Sequence, residues 1–314
     1  MTSHPPPRLL LGPQRPTINL ADAIAAAGIR ADSIAVVSAG WQEAENDIDD
    51  IRAVLDRELT DLCLYGRAEA VFEASADLAG AYRARQARLR EQQRLYRLRL
   101  RHLATAARSM LRADGDPDML AAEQRHAIAQ LRALDRHHLR RTALTHVEFE
   151  DHFAPTAHAE LARHRDEIKA SMDAADAVLI TGGNIIVLLN RMRLFGLADL
   201  LADKPVVGWS AGAMVMMERI VLFHDRMPQG KRDAEVLGNG LGLVGGHIVL
   251  PDPDRRLQTA DRLRIGHMAR RFAPDTCVTL ASGTAVEFSG KKLKRTDAAN
   301  ALTRNGRIRR LRAA

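Results

Sequence analysis

The segment Gly208-Trp209-Ser210-Ala211-Gly212 sets a serine among small residues, directly after the apolar run Pro205-Val206-Val207 and before the helix-like stretch Ala213 to Arg219. A strand that doubles back into a helix needs small side chains on both sides of the turn, and Gly208, Ala211 and Gly212 meet that need. Such an elbow pushes the Ser210 hydroxyl out at the carboxyl edge of a sheet. It also leaves the Ala211 amide at a helix N-terminus, where it can donate to a developing oxyanion. A serine hydroxyl is a poor nucleophile near neutral pH, so it needs a histidine base, and the histidine needs a carboxylate to hold its tautomer. Downstream of Ser210 the histidines are His224, His247 and His267, and the carboxylates include Asp225, Asp233, Glu235, Asp252 and Asp254. Spacing alone does not choose among them.

These groups must be carried by a sheet. Arg8-Leu9-Leu10-Leu11 and Ser33 to Ser38 read as strands, Leu20 to Ala27 and Asp47 to Glu58 as helices, an order that predicts a parallel sheet. From about Ala74 to Phe149 no strand-like run occurs. Long Arg/Ala/Leu/Gln-rich pieces, broken at Asp114-Gly115-Asp116-Pro117, predict a helical hairpin inserted into the sheet domain. Leu89, Leu95, Leu98, Leu103 and Leu111 supply an apolar stripe on its first helix, Ile128, Leu131, Leu134 and Leu139 on its second. From Ala157 the α/β texture returns: a helix to Met172, the strand Ala177 to Ile180, the turn Thr181-Gly182-Gly183-Asn184, a helix Ile185 to Phe195, then the elbow strand. Cys277 to Leu280 and Ala285 to Phe288 are late strands. The chain thus divides into 1–74 and 151–290 as two parts of one α/β domain, 75–150 as the hairpin, and 291–314 as a basic tail whose end, Arg304 to Arg312, is expected to be flexible.

Val207 to Ala213, together with Val178-Leu179-Ile180-Thr181-Gly182-Gly183-Asn184, resembles the serine peptidase family of dipeptidase E and cyanophycinase. The resemblance covers 157–290 and more loosely the first 75 residues. It implies a flavodoxin-like, glutamine amidotransferase-like sheet, mostly parallel and flanked by helices, with serine at the elbow where amidotransferases carry cysteine. It further implies a Ser-His-Asp triad of Ser210, His247 and Asp225, the aspartate 15 and the histidine 37 residues after the serine. Gly182 and Gly183 would bring a second backbone donor beside Ala211 to complete an oxyanion hole. Asn184 and Ser282 would face the substrate. Ser282 stands where the family often has an acidic residue, and Ile248 where it commonly has an aromatic one. Both departures point to an altered substrate pocket and argue against efficient cleavage of simple N-terminal Asp dipeptides.

The chain has 314 residues, 46% of them hydrophobic, enough for a substantial core. Its two cysteines, Cys63 and Cys277, lie far apart and outside any Cys/His ligand spacing, so neither a disulfide framework nor a metal site is expected, and no cofactor is implied. No stretch reaches the roughly 18 apolar residues of a membrane span, and Met1 to Pro7 lack the pattern of a secretory leader; the expectation is a cytoplasmic hydrolase. The net charge of +7 is concentrated in Arg83 to Arg112 and Lys291 to Arg312. An arginine stripe on one helix reads as a solvated face rather than a nucleic-acid site, with too few tyrosines to stack bases. The alternative is a catalytically silent protein that binds nucleic acid or a protein partner through the hairpin. The function expected is cleavage of a peptide or isopeptide bond in a small peptide-like substrate, possible as a homodimer through the amphipathic hairpin.

Overall fold

The computed structural model describes residues 5–224 and 233–313. Five short strands form the parallel part of the main sheet: β1 (Pro7–Leu11), β2 (Ser33–Val37), β3 (Glu58–Asp61), β4 (Ala177–Ile180) and β5 (Val206–Trp209). Four are almost fully buried and come from β-branched and leucine-rich runs, while the edge strand β3 buries only Leu59. The five pair in parallel in the order β1-β5-β4-β2-β3. Runs apolar on both faces suit such a sheet because helices cover each side. The helices are α1 (Leu20–Ala26), α2 (Asp49–Val54), α3 (Leu64–Ala74), α4 (Ala76–Arg112), α5 (Pro117–Phe153), α6 (Ala159–Ala174), α7 (Ile185–Leu194), α8 (Leu197–Leu200) and α9 (Ala211–Val215). The fold class is therefore the expected one, α/β with a mostly parallel sheet and an inserted hairpin.

Downstream of α9 lie β6 (Arg219–Leu222), β7 (Glu235–Asn239), β8 (His247–Pro251), α10 (Pro253–Arg256), α11 (Arg262–Phe272), β9 (Thr276–Leu280), β10 (Ala285–Ser289), β11 (Lys292–Asp297), β12 (Asn300–Leu302) and β13 (Ile308–Arg310). β10 joins the main sheet antiparallel to β1, and β11 adds to β10. β8 and β9 pair in parallel and, with β12 and β13, form a second sheet of four strands, while β6 and β7 form a ribbon. The basic tail is thus structural: three of its segments are strands, and the expectation of a flexible end at Arg304 to Arg312 is corrected. β-propensity is low there, but each segment is held by ladder bonds to a strand already in place.

The hairpin helices are 37 residues each, ~55 Å long. Ser75 Oγ caps the first by accepting from the Leu78 amide; Asp116, followed by Pro117 at the first helical position, caps the second. The hairpin belongs to the main core. Tyr82, Tyr96, Leu100, Leu131 and Leu134 are buried in the same cluster as the sheet residues Val178 and Ile180. The leucine stripe drawn for α4 is corrected in part, because Leu95 and Leu98 are each 48% exposed and the buried face carries Gln92, Gln93 and Tyr96 instead. The reason is polar. Arg271 of α11 forks onto Asp135 at 2.7 and 2.8 Å and also donates to Tyr96 Oη and the Ala234 carbonyl, and Tyr96 Oη in turn donates to Asp135 and accepts from the Val236 amide. A face that satisfies a buried ion pair cannot be purely aliphatic. Among the described residues no helix is long and apolar enough to cross a membrane, and no group of three or more His, Cys, Asp or Glu could hold a metal ion.

Candidate active site

Ser210 sits between β5 and α9 at φ 50°, ψ −114°, in a region that L-residues rarely adopt and that costs of order 1–3 kcal/mol. The surrounding backbone enforces it. The Ser210 amide donates to the Leu11 carbonyl and its own carbonyl accepts from Met214. A Cβ on Gly208 would come 2.7 Å from Met216 Sδ and 2.9 Å from the Gly212 backbone; one on Gly212 would come 2.1 Å from the Ile180 carbonyl oxygen. The elbow can therefore form only with glycine at both places, as the sequence predicts.

The Gly182-Gly183 turn follows β4 and lies beside the elbow: a Cβ on Gly182 would stand 3.3 Å from Ser210 Cβ. Gly183 has φ +105° and passes so close to the backbone of Gly40 that any Cβ would fall 2.3 Å from the Gly40 carbonyl oxygen. That carbonyl accepts from the Asn184 amide at 2.7 Å. The turn holding Gly40 and Trp41 is itself anchored. The buried Glu45 accepts from the Tyr65 and Gly66 amides at the start of α3, while burial pushes its carboxyl above the ordinary range against the pull of those two bonds. Gly183 and Ala211 amides have no partner among the described residues. Asn184, expected to face substrate, caps α7: its Oδ1 accepts from the Ile186 and Val187 amides, and its Nδ2 donates to Gln42.

Ser210 opens into a cleft of about 820 Å³. Trp41 and Trp209, ring centroids 6.5 Å apart, and Met214 give it apolar walls; Arg15, Asp50, Asp252, Arg256 and His224 give it charge or proton-transfer capacity. Arg15 pairs with Asp50, and Asp252 with Arg256 at 3.8 Å. Asp252 follows β8 at φ 57°, its amide bonded to the Leu280 carbonyl, which turns the chain into the cleft.

Not every expected residue meets there. His247 begins β8, four residues and ~13 Å of strand before Pro251, the residue of β8 that lines the cleft. Its Nδ1 donates to the Gly245 carbonyl and its ring packs edge-on against Phe288, which pairs with Arg8 near the amino end of β1, whereas Ser210 lies past the carboxyl end at Leu11. His247, expected to be the base, is not among the residues that line the cleft with Ser210. His267 is buried on α11 among Arg264, Arg270 and Arg271 and is likewise outside the cleft. His224 is the histidine that lines the cleft with Ser210. Asp225 lies outside the described residues. Ser282 accepts from the Thr17 amide and donates to the Thr17 carbonyl; it pins the loop whose residues Gln14, Arg15 and Ile18 line the cleft, without lining it itself. Gly40 and Trp41, which the sequence reading did not single out, shape the site through a backbone approach that no spacing pattern announces.

Residues 145–296 match the model of peptidase family S51. No match was found among the curated proteins. Among solved structures, a peptidase from an acI-B1 Actinobacterium is similar at 13% identity, covering 96% of this chain and 92% of that one with a TM-score of 0.40. A protein of Listeria monocytogenes EGD-e described as a peptidase E is similar at 19% identity, covering 42% of this chain and 64% of that one with a TM-score of 0.29. The family-model match over 145–296 bears out the resemblance carried by the elbow and the Gly182-Gly183 turn, both of which lie in that segment.

Proposed function

We propose that the chain, whose residues 145–296 match the model of peptidase family S51, is a serine peptidase acting on a peptide or isopeptide bond in a small peptide-like substrate. The observation that carries the reading is a single cleft whose walls include a strained elbow serine, Ser210, together with a histidine, His224, and a carboxylate, Asp252. Ser210 Oγ attacks the carbonyl carbon while His224 takes its proton; the tetrahedral oxyanion is held by the Ala211 amide at the start of α9 and an amide of the Gly182-Gly183 turn. Collapse expels the amine, which leaves with the proton from His224, and water then releases the acyl group by the same steps in reverse. Asp252 supplies the carboxylate that orients and stabilises the imidazolium, the role first expected of Asp225. His224 replaces His247 in the triad because it shares the cleft.

The arginine-rich hairpin helix favours this reading over a binding-only protein. Arg88, Arg94, Arg97 and Arg108 pair with Glu148, Glu91, Glu235 and Asp233, so much of the stripe's charge is answered within the fold. A dipeptide and isopeptide hydrolysis screen of the wild-type protein against Ser210→Ala tests the proposal. Turnover that vanishes in the variant supports it; turnover equal in both removes Ser210 from the mechanism.

A further inference from the structure

A second cavity of about 250 Å³ lies between the hairpin and α7. Ile186 and Leu222 line it and also line the catalytic cleft, so the two spaces adjoin. Much of its wall is aliphatic, from Leu89, Leu189 and Leu237. Its unsatisfied polar groups are all donors. Gln86 Oε1 accepts from Asn190 Nδ2 at 3.2 Å, which leaves the buried Gln86 Nε2 with no partner. His146 Nε2 lies 2.7 Å from Arg193 Nη1. A guanidinium can only donate, so Nε2 accepts, the ring proton sits on Nδ1, and Nδ1 is buried without a partner. Arg193 bonds His146 and the Asn239 carbonyl but pairs with no carboxylate among the described residues. Burial, with Arg85 adding its charge, pulls the Arg193 pKa down to about 10; burial beside Arg193 pulls that of His146 down to about 3. Arg90 adds an exposed cation at the rim. Buried donors with nothing to accept from them, around a guanidinium that no carboxylate among the described residues compensates, describe a site suited to an anion.

We propose that this side cavity receives a carboxylate of the substrate, from an acidic side chain or a free C-terminus, and so selects acidic peptides for the adjoining Ser210 cleft. The inference rests on the peptidase reading and adds the substrate class to it. Its carrier is the inserted hairpin, which contributes Gln86, Arg90 and His146.

The test compares kcat/KM for peptide pairs that differ only as Glu against Gln, or as free against amidated C-terminus, in the wild type, Arg193→Met and Gln86→Glu. The wild type is expected to favour the carboxylate at least about tenfold in one pair, and that pair identifies the source; each variant brings the ratio to within about threefold. A ratio is indifferent to the fraction of folded enzyme, and Gln86→Glu keeps the shape of the cavity while repelling an anion. A wild-type ratio near one in both pairs, or variants that keep the preference, overturns the proposal. If no peptide is hydrolysed and Ser210 resists a fluorophosphonate probe, the peptidase reading has failed, and calorimetric titration with N-acetylglutamate decides the cavity alone. Binding weakened at least about tenfold by Gln86→Glu supports the anion site; no binding, or binding equal in the two proteins, overturns it.

Discussion

At Ser210 the backbone pays for chemistry in advance, because a positive φ on a non-glycine residue persists only where neighbours leave no other path. Ser210→Ala is predicted to keep the fold, since alanine is smaller than serine at the same dihedral angles, and to lower turnover by several orders of magnitude; circular dichroism and a hydrolysis assay check the two halves. His224→Ala is predicted to be nearly as damaging, while His247→Ala, far from the cleft, keeps activity within about threefold of wild type. The reverse pattern in paired kinetic assays would restore His247 as the base. Asp252→Asn should cost more than Asp225→Asn; a silent Asp252→Asn with a crippled Asp225→Asn would move the orienting role. The elbow was legible because its requirement is local: Gly208 and Gly212 meet obstacles within a few residues or in the adjoining strand. The base was not. An interval of 37 residues runs through β6, β7 and the start of β8, and counting along the chain cannot tell which end of β8 faces Ser210.

Among the elements, the hairpin is locked rather than appended. Arg271, Asp135 and Tyr96 form a buried network that ties α4, α5 and α11 to Ala234 and Val236 of the segment entering β7, the partner of the ribbon strand β6 that leads to His224. Removing one charge strands the other, so Asp135→Ala is predicted to destabilise the protein by roughly 3–5 kcal/mol, and Asp135→Leu with Arg271→Met to recover a large share of that loss. Urea unfolding of the three proteins decides it; a loss below about 1 kcal/mol for the single variant contradicts the account. The hairpin's two helices were readable from the break at Asp114-Gly115-Asp116-Pro117, a feature that acts on its own neighbours. The hairpin's buried face was not, because Gln92, Gln93 and Tyr96 look like surface residues until partners distant in sequence are placed beside them: Thr145 for Gln92, His138 and the Val236 carbonyl for Gln93, Asp135 and Arg271 for Tyr96. The same limit applies to the basic tail. Nothing in Lys292 to Asp297 demands a strand, yet the open edge of β10 accepts one.

For the molecule as a whole, His146 and His267 give stability a definite pH dependence. Burial among arginines holds both near a pKa of about 3 against the ordinary 6.5. As pH falls through about 6.5 the unfolded chain takes up protons that the folded one refuses, so stability is full above that value and is lost progressively towards pH 3. The thermal midpoint should fall between about pH 7 and pH 5, and fall less in a His146→Gln, His267→Gln double variant; a midpoint flat over that range contradicts the burial of neutral rings. The family match spans only residues 145–296, and the chemistry assigned to it depends on one nucleophile and its base. The most direct test is fluorophosphonate labelling of the intact wild-type, His224→Ala and His247→Ala proteins, with the modified residue located by mass spectrometry. The account predicts a label on Ser210 in the wild type and in His247→Ala and its near-complete loss in His224→Ala. An unlabelled Ser210 in the wild type, or loss of the label with His247 rather than His224, contradicts it.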